Sequence, residues 1–192
     1  MPKRVDHDVR RRQITDAVCR ITVRGGVGAA TFREVAAEAG VSVRLVQYYF
    51  GTKDQLMLAT QRRVAERATA RSLAMMAAAD GARGELRALL ASFIPTDDES
   101  RANMLVFVAL HTATLVDATL KRPEAWDVPA ALHGAVHARI EAIGPRPGTD
   151  AEMETSLLVA IVPSLAQAVL DGGVTAEHAF RVLDYALDRA LA

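Results

Sequence analysis

The chain has 192 residues, 51% of them hydrophobic, with one cysteine and 23 acidic side chains against 23 basic ones. That length supplies one ample core or two modest ones, so neither disulfides nor a structural metal is needed for stability, and Cys19 has no partner for an internal bridge. The zero net charge hides an asymmetry, because residues 1–71 hold fourteen Lys or Arg against seven Asp or Glu while the remaining 121 hold nine against sixteen; a basic head on an acidic body confines attraction for phosphate to one end.

The apolar spacing is helical almost throughout, and no segment reads as a strand, which makes the expected fold class all-α. Helices are expected at about 8–24, 32–39, 43–49, 53–79, 84–93, 98–119, 126–143, 150–171 and 176–190. Four capping boxes mark starts: Thr31 with Glu34, Thr52 with Gln55, Thr96 with Glu99, and Thr149 with Glu152. Stops fall at Gly25-Gly26, Gly40, Asp80-Gly81, Gly144-Pro145 and Gly172-Gly173.

At the N-terminus, Lys3, Arg4 and Arg10 to Arg12 lead into no uninterrupted apolar stretch, so no signal peptide is expected. Ile14, Ala17, Val18 and Ile21 form the core face of the first helix. Arg10, Arg11 and Arg12 stand at its start, where the helix dipole disfavours cations, and their placement calls for an outside partner such as phosphate. Cys19 falls among the apolar positions and reads as a buried thiol. The run Arg24 to Ala29, R-G-G-V-G-A, has the glycines of a phosphate loop but no strand before it and no G-K-[ST] after it, and neither a nucleophile elbow nor a carboxylate cluster appears elsewhere, so no catalytic role is expected.

The second helix, capped by Thr31, buries Phe32, Val35, Ala36 and Ala39 and turns Arg33 outward. Gly40 supplies the positive-φ corner into the third helix, which Ser42 caps. There Val46 and Phe50 face the core while Val43, Arg44, Gln47 and Tyr48 fall largely on the other side. Arginine and glutamine suit bidentate contacts with guanine and adenine edges, so Arg44 and Gln47 are the candidates for base readout. Tyr48 and Tyr49 suit phosphate, sugar or thymine methyl, and Lys53, opening the fourth helix, suits a further phosphate. That fourth helix would be a rod of ~40 Å at ~1.5 Å per residue, able to carry movement of the body to the head.

The segment T-F-R-E-V-A-A-E-A-G-V-S-V-R-L-V-Q-Y-Y-F-G-T-K-D-Q-L resembles the helix-turn-helix signature of TetR-type transcriptional regulators over about a quarter of the chain. The resemblance implies that Thr31, Ser42, Val43, Arg44, Gln47, Tyr48, Tyr49 and Lys53 fall where such proteins touch DNA. Two residues depart from the pattern, Arg44 for the common glycine and Gln47 for the common tyrosine, so the operator preference is this chain's own. It further implies a DNA-binding domain over residues 1–52 and an effector-binding and dimerisation domain over 53–192. The expected function is that of a homodimer, commonly a repressor, that reads an inverted-repeat double-stranded DNA operator and answers a small-molecule effector, with no cofactor. A helical protein-binding module without DNA specificity is the rival.

In the acidic body, Met104, Phe107, Val108, His111 and Leu115 share one face of the sixth helix and Trp126 opens the next, a set that suits a small apolar ligand with one polar handle. His133 and His137 are spaced i and i+4, as zinc ligands can be, but lack a Cys or an H-E-x-x-H context, so no metal is expected. Leu157 to Leu170, interrupted by Pro163, Ser164 and Gln167, reads as too short to span a bilayer; its apolar residues cover more than one face, which suits pairing with a second subunit, and Pro163 is expected to kink it near Ala160. Leu157 to Leu191 is similar to the end of the BetI-like branch of the family. The protein is expected to be soluble and cytoplasmic, without membrane contact.

Overall fold

The computed structural model describes residues 7–116 and 128–191. Its helices are α1 (His7–Gly25), α2 (Phe32–Ala39), α3 (Val43–Phe50), α4 (Lys53–Ala77), α5 (Gly81–Ala91), α6 (Asp98–Val116), α7 (Val128–Ile143), α8 (Ala151–Leu170) and α9 (Ala176–Ala190), with one 3-10 turn over Val27–Ala29. Among the described residues there is no strand, only an isolated bridge between Pro145 and Leu191. The chain divides into two compact units, Met1–Arg67 with Ala102–Trp126, and Ala68–Arg101 with Asp127–Ala192.

In the first unit α1 packs on α2 and α2 on α3. The apolar stripes meet as their spacing requires: Ile14, Ala17, Val18 and Ile21 from α1, Val35, Ala36 and Ala39 from α2, and Val46 and Phe50 from α3 are all buried. Asp16 on α1 draws in two turns of α4, accepting from Arg63 Nε at 3.2 Å and Arg67 Nη2 at 2.9 Å. Cys19 is buried, and desolvation pushes its thiol up to about 11. The glycines after α1 serve the short 3-10 turn rather than a ligand loop: Gly26 takes φ 75° and its carbonyl accepts from Ala29 N at 3.2 Å.

The second unit is built on α5, α7, α8 and α9, whose inward residues Leu86, Leu90, Ile140, Leu158, Leu183 and Leu187 form one continuous apolar cluster. Arg83 with Asp188 and Arg87 with Asp184 tie α5 to α9 along the rim. On α8 the buried positions are Thr155, Leu158, Val162, Ala166 and Leu170, while Met153 and Leu157 stand 57% and 59% exposed. The apolar stretch Leu157 to Leu170, expected to be too short to span a bilayer, is part of a helix that begins at Ala151, close to the expected 150. With 20 residues and a mean hydropathy of 1.6 it is the one helix among the described residues long and apolar enough to cross a membrane; its inward stripe in the apolar cluster is that of a core helix. The helix passes Pro163 without interruption.

Helix starts fall close to the expected positions, with two instructive shifts. Thr31 and Thr52 cap as read, accepting from Glu34 N and Gln55 N at 3.2 Å. At α6, however, Asp97 and not Thr96 is the cap, accepting from Ser100 N at 2.7 Å, and at α8 Asp150 replaces Thr149, accepting from Glu152 N and Met153 N at 2.9 and 3.1 Å. In both, an aspartate directly after the threonine offers a stronger acceptor to the same orphan N–H groups. The Thr149 hydroxyl donates instead to Arg146 O. The expected ends of the sixth helix and start of the seventh, and Trp126 with them, lie outside the described residues.

Candidate nucleic-acid interface

Local chemistry alone builds the turn between α2 and α3. Gly40 adopts the left-handed region, φ 64° and ψ 37°, and its N–H donates back to Ala37 O at 3.2 Å while Val41 N donates to Ala36 O at 2.9 Å. Those two bonds close the Schellman motif and stop α2 at a fixed angle. Two residues later Ser42, in an extended conformation, accepts from Leu45 N at 3.1 Å and starts α3.

Eight residues long, α3 is anchored by one edge. Val46 is fully buried and Phe50 nearly so, whereas Ser42, Val43, Arg44, Gln47 and Tyr48 are exposed, Tyr48 to 73%. Tyr49 is half-buried and stands edge-on to Tyr48, with ring centroids 5.4 Å apart. Arg44 and Gln47 are three positions apart on an outward face and therefore neighbours on it. Thr31, Arg33 and Lys53 are exposed as well, at the starts of α2 and α4.

The basic residues separate into two groups. Arg20 and Arg24 bind Glu38, whose carboxyl is held below its ordinary range first by the hydrogen bond from Arg20 and then by that from Arg24. Arg63 and Arg67 bind Asp16. Arg12, Arg33, Arg44 and Lys53, by contrast, have no carboxylate partner among the described residues.

Arg11 requires a correction. Its placement at the start of α1 was read as a demand for phosphate, yet its Nη1 donates to Tyr49 O at 2.7 Å and its guanidinium lies 4.6 Å from the centre of the Phe50 ring. The cation meets the C-terminus of α3, where orphan carbonyls and the negative end of the dipole favour it. Beside it Gln13 Nε2 donates to Ala39 O at the end of α2 at 2.7 Å, and the half-buried Arg10 donates to Gln13 Oε1 at 2.6 Å. One turn of α1 thus ties down the ends of both helices of the turn motif. No sequence signal marked this, because the partners are 26 and 38 residues away.

The residues read as a ligand set are only partly together. Met104, Phe107 and His111 are half-buried on α6, and the Phe107 and His111 rings lie parallel with centroids 5.9 Å apart. Leu115, 63% exposed, departs from that half-buried stripe. His133 and His137 meet Glu152 across α7 and α8: His133 Nε2 lies 3.2 Å from Oε1 and His137 Nδ1 3.5 Å from Oε2, with the hydroxyls of Ser156 and Thr155 at 3.4 and 3.3 Å. No group of three or more His, Cys, Asp or Glu among the described residues is arranged to hold a metal ion.

Residues 14–60 match the family described as bacterial regulatory proteins, tetR family. The HTH-type transcriptional regulator PksA of Bacillus subtilis is 32% identical over 109 residues, 57% of this chain and 53% of that protein. The HTH-type transcriptional regulator BetI of Burkholderia thailandensis is 36% identical over 125 residues, 64% of this chain and 63% of that one. The chain thus spans between half and two thirds of the curated relatives it matches. Among solved structures, a transcriptional regulator from Rhodococcus superposes with a TM-score of 0.79 at 25% identity, covering 93% of this chain and 94% of that one. A regulator from Saccharomonospora viridis in complex with choline shares the fold at a TM-score of 0.81 and 22% identity, over 96% of this chain and 99% of that one.

Proposed function

We propose that this chain, which carries a TetR-type helix-turn-helix over residues 14–60, is a homodimeric transcriptional repressor that reads an inverted-repeat DNA operator and leaves it when a small molecule binds. The observation that carries the proposal is the exposed face of α3, where Arg44 and Gln47 stand clear of carboxylates and of the core. A helix of this kind lies in the major groove with its first turns against base edges, and arginine and glutamine there select guanine and adenine. Val43, Tyr48 and Tyr49 complete the groove-facing surface. Thr31, Arg33, Ser42, Lys53 and Arg10 surround it at helix starts and loops, where side chains and backbone N–H groups position phosphate.

Residues 1–52 are the reading head in this proposal, and residues 53–192 hold the effector and pair the subunits. Met153 and Leu157 on α8 and Tyr185 on α9 supply the apolar surface for pairing, each more than half exposed in the single chain. Two subunits related by a two-fold axis read half-sites ~34 Å apart. A small molecule releases DNA only to the extent that it prefers the conformer with wrongly spaced heads. The choline complex of a protein with this fold supports a small organic effector. No reaction or cofactor is assigned, and the place of action is the cytoplasm, where the DNA is.

Selecting fragments from random duplex DNA with the whole protein tests the reading. Enrichment of a two-fold-symmetric sequence, bound with a steep salt dependence, is expected. Recovery of no common sequence would remove the regulator reading.

A further inference from the structure

Buried polar atoms in folded proteins almost always have a hydrogen-bond partner, and an unsatisfied one costs stability. In the first unit two amide side chains break this rule together. Gln61 on α4 is 3% exposed, and its Oε1 has no partner. Asn103 on α6 is half-buried; its Nδ2 donates to Val64 O at 3.3 Å, which fixes the way the amide points, and its buried Oδ1 is left without a donor. Gln61 and Val64 are three positions apart and both buried on α4, so Asn103 meets α4 one helical turn from Gln61.

The surroundings have the character of a site. From Ala102 to Ala109 every side chain of α6 except the buried Val106 is half-buried, whichever face it occupies. A helix packed tightly on one side and wet on the other alternates between buried and exposed positions. On α6 the buried stripe is Val106 and Leu110, and Met104, Leu105, Phe107 and Val108 beside it are only half-buried. Asn103, Phe107 and His111 follow at i, i+4 and i+8 and line one face, an amide oxygen followed by two parallel rings.

Resting on the reading of residues 53–192 as effector-binding, we propose that Gln61 Oε1 and Asn103 Oδ1 are the polar end of the effector site. Its ligand is then a small organic molecule with an apolar body and N–H or O–H donors, an amine or an alcohol. Two acceptors without a donor repel carboxylates and leave donor-free molecules unrewarded.

Four probes share one ring and differ in its polar group: protonated cyclohexylamine, cyclohexanol, cyclohexanone and cyclohexanecarboxylate. Calorimetric titration of the whole protein is expected to rank the amine, the alcohol or both ~10-fold or more above the ketone and the carboxylate. Amine alone would assign a cationic donor; both would show that a neutral donor suffices. Gln61→Met removes an unsatisfied oxygen at similar volume, so it is expected to raise the Tm of the protein alone by ~2–4 °C and to erase the preference for donors. Ketone binding as tight as alcohol, no binding by any of the four, or a lowered Tm in Gln61→Met overturns the proposal; should that variant not fold, the ranking on the unaltered protein decides. Operator selection by the unaltered protein stands apart from these titrations, so failure of this site and failure of the regulator reading remain distinguishable.

Discussion

Arg44 and Arg11 present the same guanidinium to opposite surroundings. Arg44 has no carboxylate partner among the described residues and faces out from α3, whereas Arg11 is committed to Tyr49 O and the Phe50 ring. Their alanine variants are therefore expected to fail differently. Arg44→Ala should cost ~1–3 kcal/mol on the selected operator and relax preference at one base position; a band-shift titration with unchanged affinity and preference would exclude Arg44 from readout. Arg11→Ala should lower operator affinity without changing the slope of log affinity against log salt, since no phosphate contact is lost, whereas a phosphate-binding arginine would reduce that slope by ~0.9. Arg11→Lys should restore part of the affinity, because an ammonium can still donate to the carbonyl. The outward position of Arg44 was legible in the sequence because it depends on its own helix; the anchoring of Arg11 was not, because its partner lies 38 residues on.

The elements owe their boundaries to short-range chemistry, and that chemistry sets their sensitivities. At Gly40 a side chain would meet no atom within 4 Å, so the obstacle to substitution is the positive φ alone. Gly40→Ala is expected to cost roughly 1–2 kcal/mol in urea unfolding, through strain in the left-handed region. At the start of α6, the Ser100 backbone N–H, the Ser100 hydroxyl and Arg71 hold the Asp97 carboxyl down to about 2 from an ordinary 3.8. A carboxyl with a lowered folded pKa stabilises fully above its unfolded value and loses that contribution as pH falls through the folded one. Acid unfolding of the parent and of Asp97→Asn should accordingly differ above pH ~4 and converge only below pH ~2, where the Asp97 carboxyl becomes neutral in the folded state as well. The caps also mark the limit of local reading. A threonine followed by an aspartate offers two starts one residue apart, and at α6 and α8 the chain used the charged one.

For the whole molecule, the decisive feature is that α8 carries two apolar faces and the chain alone covers one. Leu158, Val162 and Leu170 enter the apolar cluster of the second unit while Met153 and Leu157 remain outside it. Leu157→Arg is expected to leave the monomer folded, shift sedimentation from dimer toward monomer, and reduce affinity for a two-fold operator far more than for a single half-site. Unchanged mass and affinity would move the pairing surface elsewhere. The sequence by itself determined the helical class, the order and approximate limits of the helices, the turn at Gly40 and the outward face of α3, because caps, periodicity and glycine corners act within a few residues. Only the tertiary structure decided which arginines were spent on internal anchors, which amide oxygens went without donors, and how Glu152 came to face two histidines. These outcomes depend on side chains brought together from distant parts of the chain, and spacing along the sequence carries no record of such encounters.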